Sequence, residues 1–288
     1  MNTGAEINPL WNEKKIKNYL PHMTVPEVDV FLTKSDLVII PIGALEQHSS
    51  HLPIGTDFIN GVEQCKLIAQ ERDIIVAPVL MAGQSPYHMA FSGSITLSAE
   101  TIIQVHIETV KSLIKHGFKR FVFMNSHGGN SAITTFLVDQ INQKTAGIAV
   151  DFGLAISPYL KSDNNYQKPK VLDRHAGTGE TSDSLYLMPD LVQLEKATAT
   201  KLTLPKHLEN MLPEVVNDEP TAKLLFLLEA LKAKETGKKT STIEMTKTGV
   251  WGELDPKEAT VERGATNINN IVQATLKFID KWNDLIKM

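Results

Sequence analysis

Carboxylates and imidazoles gather in three short stretches of this 288-residue chain, each time among small residues. The first is Pro41-Ile42-Gly43-Ala44-Leu45-Glu46-Gln47-His48-Ser49-Ser50-His51-Leu52-Pro53-Ile54-Gly55-Thr56-Asp57. Residues i and i+2 of an extended chain point the same way, so Glu46 and His48 can face one site. Asp57 arrives after a Gly-Thr turn, and the three together suit a hard-to-borderline divalent metal. Glu-x-His alone is a common pattern, and its plain alternative is a satisfied polar pair. The second stretch is Asn125-Ser126-His127-Gly128-Gly129-Asn130, where two glycines allow close backbone approach and Asn130 is placed to cap a helix. Its rival reading, a phosphate-binding turn at a helix N-terminus, ranks lower because no Gly-x-Gly-x-x-Gly or P-loop pattern is present. The third is Asp173-Arg174-His175-Ala176-Gly177-Thr178-Gly179-Glu180-Thr181-Ser182. Taken alone it is a helix start, with Thr178 capping and Glu180 answering the helix dipole.

The elements that must position these groups alternate between strand and helix. Strand-like runs are Leu37–Ile42, Asp73–Val79, Lys119–Met124 and Ile148–Phe152. The clearest helix is Ala99–His116, with Ile103, Ile107, Val110 and Ile114 at three- and four-residue steps, Ser98 as its cap and Gly117 at its C-terminal end. Thr24-Val25-Pro26-Glu27 is a capping-box pattern opening a short helix to about Leu32. The alternation predicts an α/β fold, a three-layer α/β/α sandwich around a mainly parallel sheet. In such sheets sites collect at the carboxyl ends of the strands, where Glu46, His48 and His127 all fall. Asp151-Phe152-Gly153 is a strand end, because neither a Gly-rich loop nor a His-Arg-Asp loop accompanies it.

Residues 1–23 are expected to pack as an arm on the domain or on a neighbour. A second half from about Ser157 holds a polar loop at Ser162–Lys170 and helices at Gly177–Leu187, Pro220–Lys234 and Asn267–Lys287. No proline- or glycine-rich linker divides the halves, so residues 1–288 are read as one domain with an elaborated C-terminal part over 157–288. A net charge of −4 gives no basic surface for nucleic acid. The single cysteine, Cys65, excludes an internal disulfide framework and fits a reducing compartment. No secretory signal opens the chain, and no apolar run approaches the roughly 20 residues of a membrane helix. A soluble, cytoplasmic protein with no membrane partner is expected.

The three stretches resemble the creatininase (creatinine amidohydrolase) family. Weaker matches are Ser85-Pro86-Tyr87-His88 with Phe91-Ser92-Gly93-Ser94-Ile95-Thr96-Leu97, and Thr248-Gly249-Val250-Trp251-Gly252, all in the family's order from about residue 24 to 280. The resemblance implies an α/β/α fold and a site for two divalent ions per subunit, zinc foremost, with manganese or iron as alternatives. Carried over by position, Glu46 and His127 hold one ion, His48 the other, and Asp57 bridges. The creatinine-hydrolysing members have an acidic ligand where this chain has Gly129. Glu180 is then the replacement carboxylate, with a general-base role as its alternative. Arg174 stands where that family segment carries an acid, which puts creatinine itself in doubt and favours a carboxylate- or phosphate-bearing substrate.

The expected substrate-facing positions are His88, Gly128, Gly129 and Arg174. His51 is expected beside a ligand or backbone group, and His22, His106, His116 and His207 at the surface or in packing. The chemistry implied is attack by a metal-activated hydroxide on the amide-type carbonyl of a small molecule, with His175 protonating the departing nitrogen. The expected function is hydrolysis of a non-peptide C–N bond, in a cyclic amide or formamide. Two other classes compete. One is cleavage of a peptide, since family members with the His-Gly-Gly-Asn form include such proteins; the other is a catalytically silent, metal-braced scaffold. The family's habit implies a homo-oligomer, a hexamer.

Overall fold

A computed structural model describes residues 7–160, 171–230 and 241–286. The polar loop expected at 162–170 and the last part of the helix expected over 220–234 lie outside the described residues. In chain order the elements are α1 (Val25–Leu32), β1 (Leu37–Ile42), α2 (Thr56–Glu71), β2 (Ile75–Val76), α3 (Ala99–Lys115), β3 (Arg120–Asn125), α4 (Ser131–Lys144), β4 (Ile148–Asp151) and α5 (Phe152–Leu160). They continue with β5 (Asp173–His175), α6 (Thr178–Leu187), α7 (Leu212–Val216), α8 (Pro220–Ala230), α9 (Ser241–Met245), β6 (Trp251–Gly252) and α10 (Val261–Ile286).

β1 through β4 form a parallel sheet in the order β2-β1-β3-β4. Its central strand β1 is buried along its whole length, which is why it reads as an unbroken apolar run. Alternate residues serve opposite faces. Leu37 and Ile39 pack with Val122, Met124 and the apolar sides of α2, α5, α6 and α10. Val38, Ile40 and Ile42 pack with Phe121, Phe123 and α3 and α4. Helices therefore cover both faces, the α/β/α sandwich that the alternation predicts. β5 and β6 pair antiparallel in a separate two-stranded ribbon, which carries His175 to the site.

Three local readings are corrected by the structure. The strand expected over 73–79 is hydrogen-bonded as a ladder only at Ile75–Val76. The buried stripe of α3 runs through Ile102, His106, Val110 and Leu113, with Ile103, Ile107 and Ile114 at its margin. The final helix starts at Val261, ahead of the expected Asn267. The capping pattern at the start of α1 forms as read, the Glu27 carboxylate accepting the Thr24 backbone N–H at 2.7 Å. The described part of the N-terminal segment lies on its own domain: Asn8 donates to Glu63 Oε2 at 3.1 Å, and Tyr19 bridges to Val76 beside the sheet.

Sheet order explains where a site must form. The chain leaves β1 for β2 on one side and returns to β3 on the other, so the loops after β1 and β3 diverge from adjacent strands. Ile42 and Asn125 are register partners, and the Ser126 N–H continues the ladder to the Ile42 carbonyl at 3.0 Å. Glu46, His48 and His127 follow directly.

Candidate metal centre

The loop after β1 turns back on itself, with the Glu46 N–H donating to the Ile54 carbonyl at 2.9 Å. That closure sets Glu46 and His48 over the first turn of α2, which carries Asp57. Each Asp57 oxygen faces a different imidazole: Oδ1 lies 3.5 Å from His48 Nε2 and Oδ2 lies 3.0 Å from His127 Nδ1. Glu46 Oε1 lies 3.4 Å from the same His127 Nδ1, and Glu180 Oε1 lies 3.5 Å from the same His48 Nε2. The cluster therefore divides into Glu46–His127 and His48–Glu180, with Asp57 between them.

Three imidazoles are held by one nitrogen so that the other is turned inward. His48 Nδ1 donates to the Glu46 carbonyl at 3.1 Å, His127 Nε2 to the Gln84 carbonyl at 3.1 Å, and His175 Nε2 to the Gln47 carbonyl at 2.7 Å. Donation of the distal N–H to a backbone carbonyl is the usual way a metal-binding histidine is oriented. Tyr87 Oη, 3.0 Å from His127 Nε2, adds to that hold.

Buried acid dominates the electrostatics. Burial pushes the carboxyls of Glu46, Asp57 and Glu180 up, but the surrounding imidazoles outweigh it, and Glu46 is held down at about 2. Burial likewise disfavours charge on His127, yet Glu46 and Asp57 lift it to about 9. His48 is raised in the same way by Glu180 and Asp57. His175 behaves differently: burial, and then His48 beside it, lowers it to about 4, so it is neutral near pH 7.

Glu46 Oε2, His48 Nε2 and Asp57 Oδ2 are buried without a hydrogen-bond partner. A buried polar atom left unpaired costs about 1–3 kcal/mol. Three in one cluster, each on a metal-ligating residue type, fit a bound cation. Donor atoms of Glu46, His48 and Asp57 come within 4.8 Å of one another, as do those of His48, His175 and Glu180, and of Glu46, His88 and His175.

A cavity of about 320 Å³ is lined by Asp57 and Glu180 together with Asn60, Asn125, Asp183, Arg263 and Asn267. None of the four expected substrate-facing residues lines it. Arg174 is a correction: the β5–β6 register shifts between Asp173 and His175, so Arg174 sits at a bulge and is exposed, 4.0 Å from Asp218 Oδ1, while His175 is buried. His88 is buried behind the cluster, with Nε2 3.4 Å from Glu46 Oε1 and its ring stacked on that of His175. At Gly129 a Cβ would collide with Tyr87 Oη and the Gln84 carbonyl, so packing requires glycine and Tyr87 fills the space of any side chain. Gly128 is exposed with open space beside it.

Two caps also differ. Asn130 stands at the N-cap position of α4 as read, but its side chain makes no cap hydrogen bond; it donates to the Gly43 carbonyl at 2.9 Å and accepts from the Gln84 N–H at 3.0 Å, tying together the loops under His127. Thr178 is inside α6, whose N-cap is Gly177, and its hydroxyl donates to the Asp255 carbonyl at 3.2 Å. The Glu180 carboxylate accepts the Ala176 N–H at 2.5 Å, which presents it to His48. His51 bonds Thr181 on α6 at 2.9 Å. The contact of Tyr87 with His127 and the place of Arg263 and Asn267 in the cavity lining were not anticipated; only Tyr87 sits in a recognisable motif, and the other two belong to a helix with no local chemical signature.

Comparison with known proteins matches residues 21–279 to the creatininase family model, creatinine amidohydrolase. A creatinine amidohydrolase of Pseudomonas putida is 28% identical over 62% of this chain and 75% of its own. A 3-dehydro-scyllo-inosose hydrolase of Thermotoga maritima is 27% identical, over 64% of this chain and 60% of its own. A mycofactocin precursor peptide peptidase of Mycolicibacterium smegmatis is 29% identical, over 54% and 59%. The fold is also that of solved creatininases: a Zn–Zn form superposes with a TM-score of 0.66 at 20% identity, covering 92% of this chain and 98% of that one. A manganese form gives 0.65 at 20%, with the same coverage. With the family model spanning most of its length, this chain belongs to the creatininase family.

Proposed function

We propose that this protein is a metal-dependent amidohydrolase that cleaves a non-peptide C–N bond, a cyclic amide or formamide, of a small molecule. The observation that carries the reading is the Asp57 carboxylate, buried between His48 and His127 with one oxygen toward each. Glu46, Asp57 and His127 would hold one divalent ion and His48, Asp57 and Glu180 a second, zinc or manganese by the forms of the solved relatives. Such a pair supplies Lewis acidity toward a carbonyl oxygen and makes water acidic near neutral pH.

The chain's own residues do the rest. Neutral His175, with Nδ1 3.6 Å from Glu46 Oε1, accepts a proton inside the cluster and delivers it to the departing nitrogen. Tyr87 and the Gln84 carbonyl keep His127 in one orientation. The cavity, at the lower end of the volumes that take small ligands, offers amide side chains and the Arg263 guanidinium to the rest of the substrate. Family names such as creatinine amidohydrolase and 3-dehydro-scyllo-inosose hydrolase support hydrolysis of a small molecule. Peptide cleavage is the second reading, favoured by the 29% identity to a mycofactocin precursor peptide peptidase.

The test is metal analysis of the purified protein followed by a screen of lactams, cyclic ureas and formamides against short peptides. Two metal equivalents with turnover only of peptides would overturn the small-molecule reading. No bound metal would overturn the whole proposal. Assembly into homo-oligomers is part of the same reading and is measured by light scattering.

A further inference from the structure

Gln47 lies between the two residues of the Glu-x-His pattern, with its side chain pointing away from the metal cluster. Its amide is oriented without ambiguity by two backbone groups. Oε1 accepts the Ser49 N–H at 3.0 Å, and Nε2 donates to the Gly249 carbonyl at 3.1 Å. A Cβ at Gly249 would collide with Gln47 Oε1, and Gly249 has φ +91°, so glycine there is what admits the amide.

Two imidazoles meet this residue. His175 Nε2 is 2.7 Å from the Gln47 carbonyl, which can only accept, so Nε2 carries the proton. The 3.0 Å approach of Gln47 Nε2 to the same nitrogen is then contact between two donors. One Gln47 proton goes to Gly249, and the other is left for His88 Nδ1, 3.2 Å away. His88 Nδ1 must therefore accept, and its Nε2–H points at Glu46 Oε1, 3.4 Å away. A neutral imidazole has one donor and one acceptor nitrogen, so fixing one fixes the other.

We propose that Gln47 is the positioning residue of the centre: its side-chain amide sets the tautomer of His88, which steadies Glu46, and its backbone carbonyl sets that of His175, which leaves the His175 Nδ1 lone pair facing the cluster. The inference rests on the metal-centre reading above for its functional meaning, but the tautomers themselves are properties of the protein with or without substrate. The glutamine between Glu46 and His48 is thereby a third working member of that segment.

The test is a long-range proton–nitrogen correlation spectrum of zinc-loaded, imidazole-labelled protein, with the histidines assigned by single His→Gln variants. Expected are protonated Nε2 and bare Nδ1 on both His88 and His175, the His88 Nδ1 shift showing an accepted hydrogen bond. Gln47→Glu puts an acceptor where the donor stood, and is expected to move the His88 proton to Nδ1. It should lower kcat by about 10- to 100-fold, the usual effect of losing a group that orients a metal ligand, with KM changed far less. Gln47→Met, similar in volume and without a donor, should lose the His88 hydrogen-bond shift while leaving His175 unchanged. A wild-type spectrum with protonated Nδ1 on His88 would overturn the proposal before any variant is made. So would a folded Gln47→Glu protein with both tautomers and kcat unaltered. Failure of the hydrolase reading looks different: no turnover of any amide, with the tautomers as described.

Discussion

Asp57 and His127 meet at 3.0 Å, Oδ2 to Nδ1, although one opens α2 and the other follows β3. The other oxygen of the same carboxylate faces His48, so a single side chain joins the two halves of the cluster. Asp57→Ala is expected to lose both metal ions, or to leave at most one bound weakly, by elemental analysis of dialysed protein. Two full equivalents in that variant would rule out a bridging Asp57.

Glu180 approaches only the His48 half, 3.5 Å from Nε2. Glu180→Gln keeps the shape and removes the charge, and should lower occupancy of one ion while sparing the other. Stepwise chelation followed by metal analysis separates the two. Normal loading with lost turnover would make Glu180 a base or a substrate contact instead.

Metal and proton compete for the inward nitrogens of His48 and His127. His127 is raised to about 9, so below that pH the metal-free protein holds a proton there that an ion must displace. His48 is raised in the same sense. Affinity should accordingly fall as pH drops below about 9, and loading near neutral pH should release protons. Titration calorimetry in buffers of different ionisation enthalpy measures the release. Buffer-independent heats and an affinity constant between pH 6 and 9 would contradict it.

Creatinine is expected to be a poor substrate. Tyr87 Oη fills the space of a side chain at Gly129, so Gly129→Glu should disturb the His127 site and not create creatinine turnover. Because Arg174 lies outside the cavity, Arg174→Ala should change kcat/KM for any substrate less than about twofold, close to the small effects typical of surface substitutions. Removing Arg263, which lines the cavity, should instead raise KM. Robust creatinine hydrolysis by the natural protein would refute the first expectation, and a large Arg174→Ala effect the second.

The parallel sheet was legible because its central strand is buried on both faces and so is apolar at every position from Leu37 to Ile42. Glu46, His48, Asp57 and His127 were legible for a related reason. Glu46, His48 and His127 follow strands whose pattern is strong, Asp57 opens the next helix, and strand ends in such sheets lie in one crevice. Glu180 drew notice through its motif, but its distance to His48 could not be read from any spacing.

What the sequence by itself determined was the set of chemical groups and the elements that carry them, because apolar periodicity and turn residues are local properties. Only the tertiary structure decided which groups share a site and which way they face. Arg174 and His175 are adjacent, and pairing of β5 with β6 sends one to solvent and the other to the cluster. Arg263 and Asn267 reach the cavity only because α10 packs beside α6, a contact between segments remote in the chain. Side-chain direction at a strand and packing between distant helices depend on which partners the fold supplies, and neither leaves a local trace.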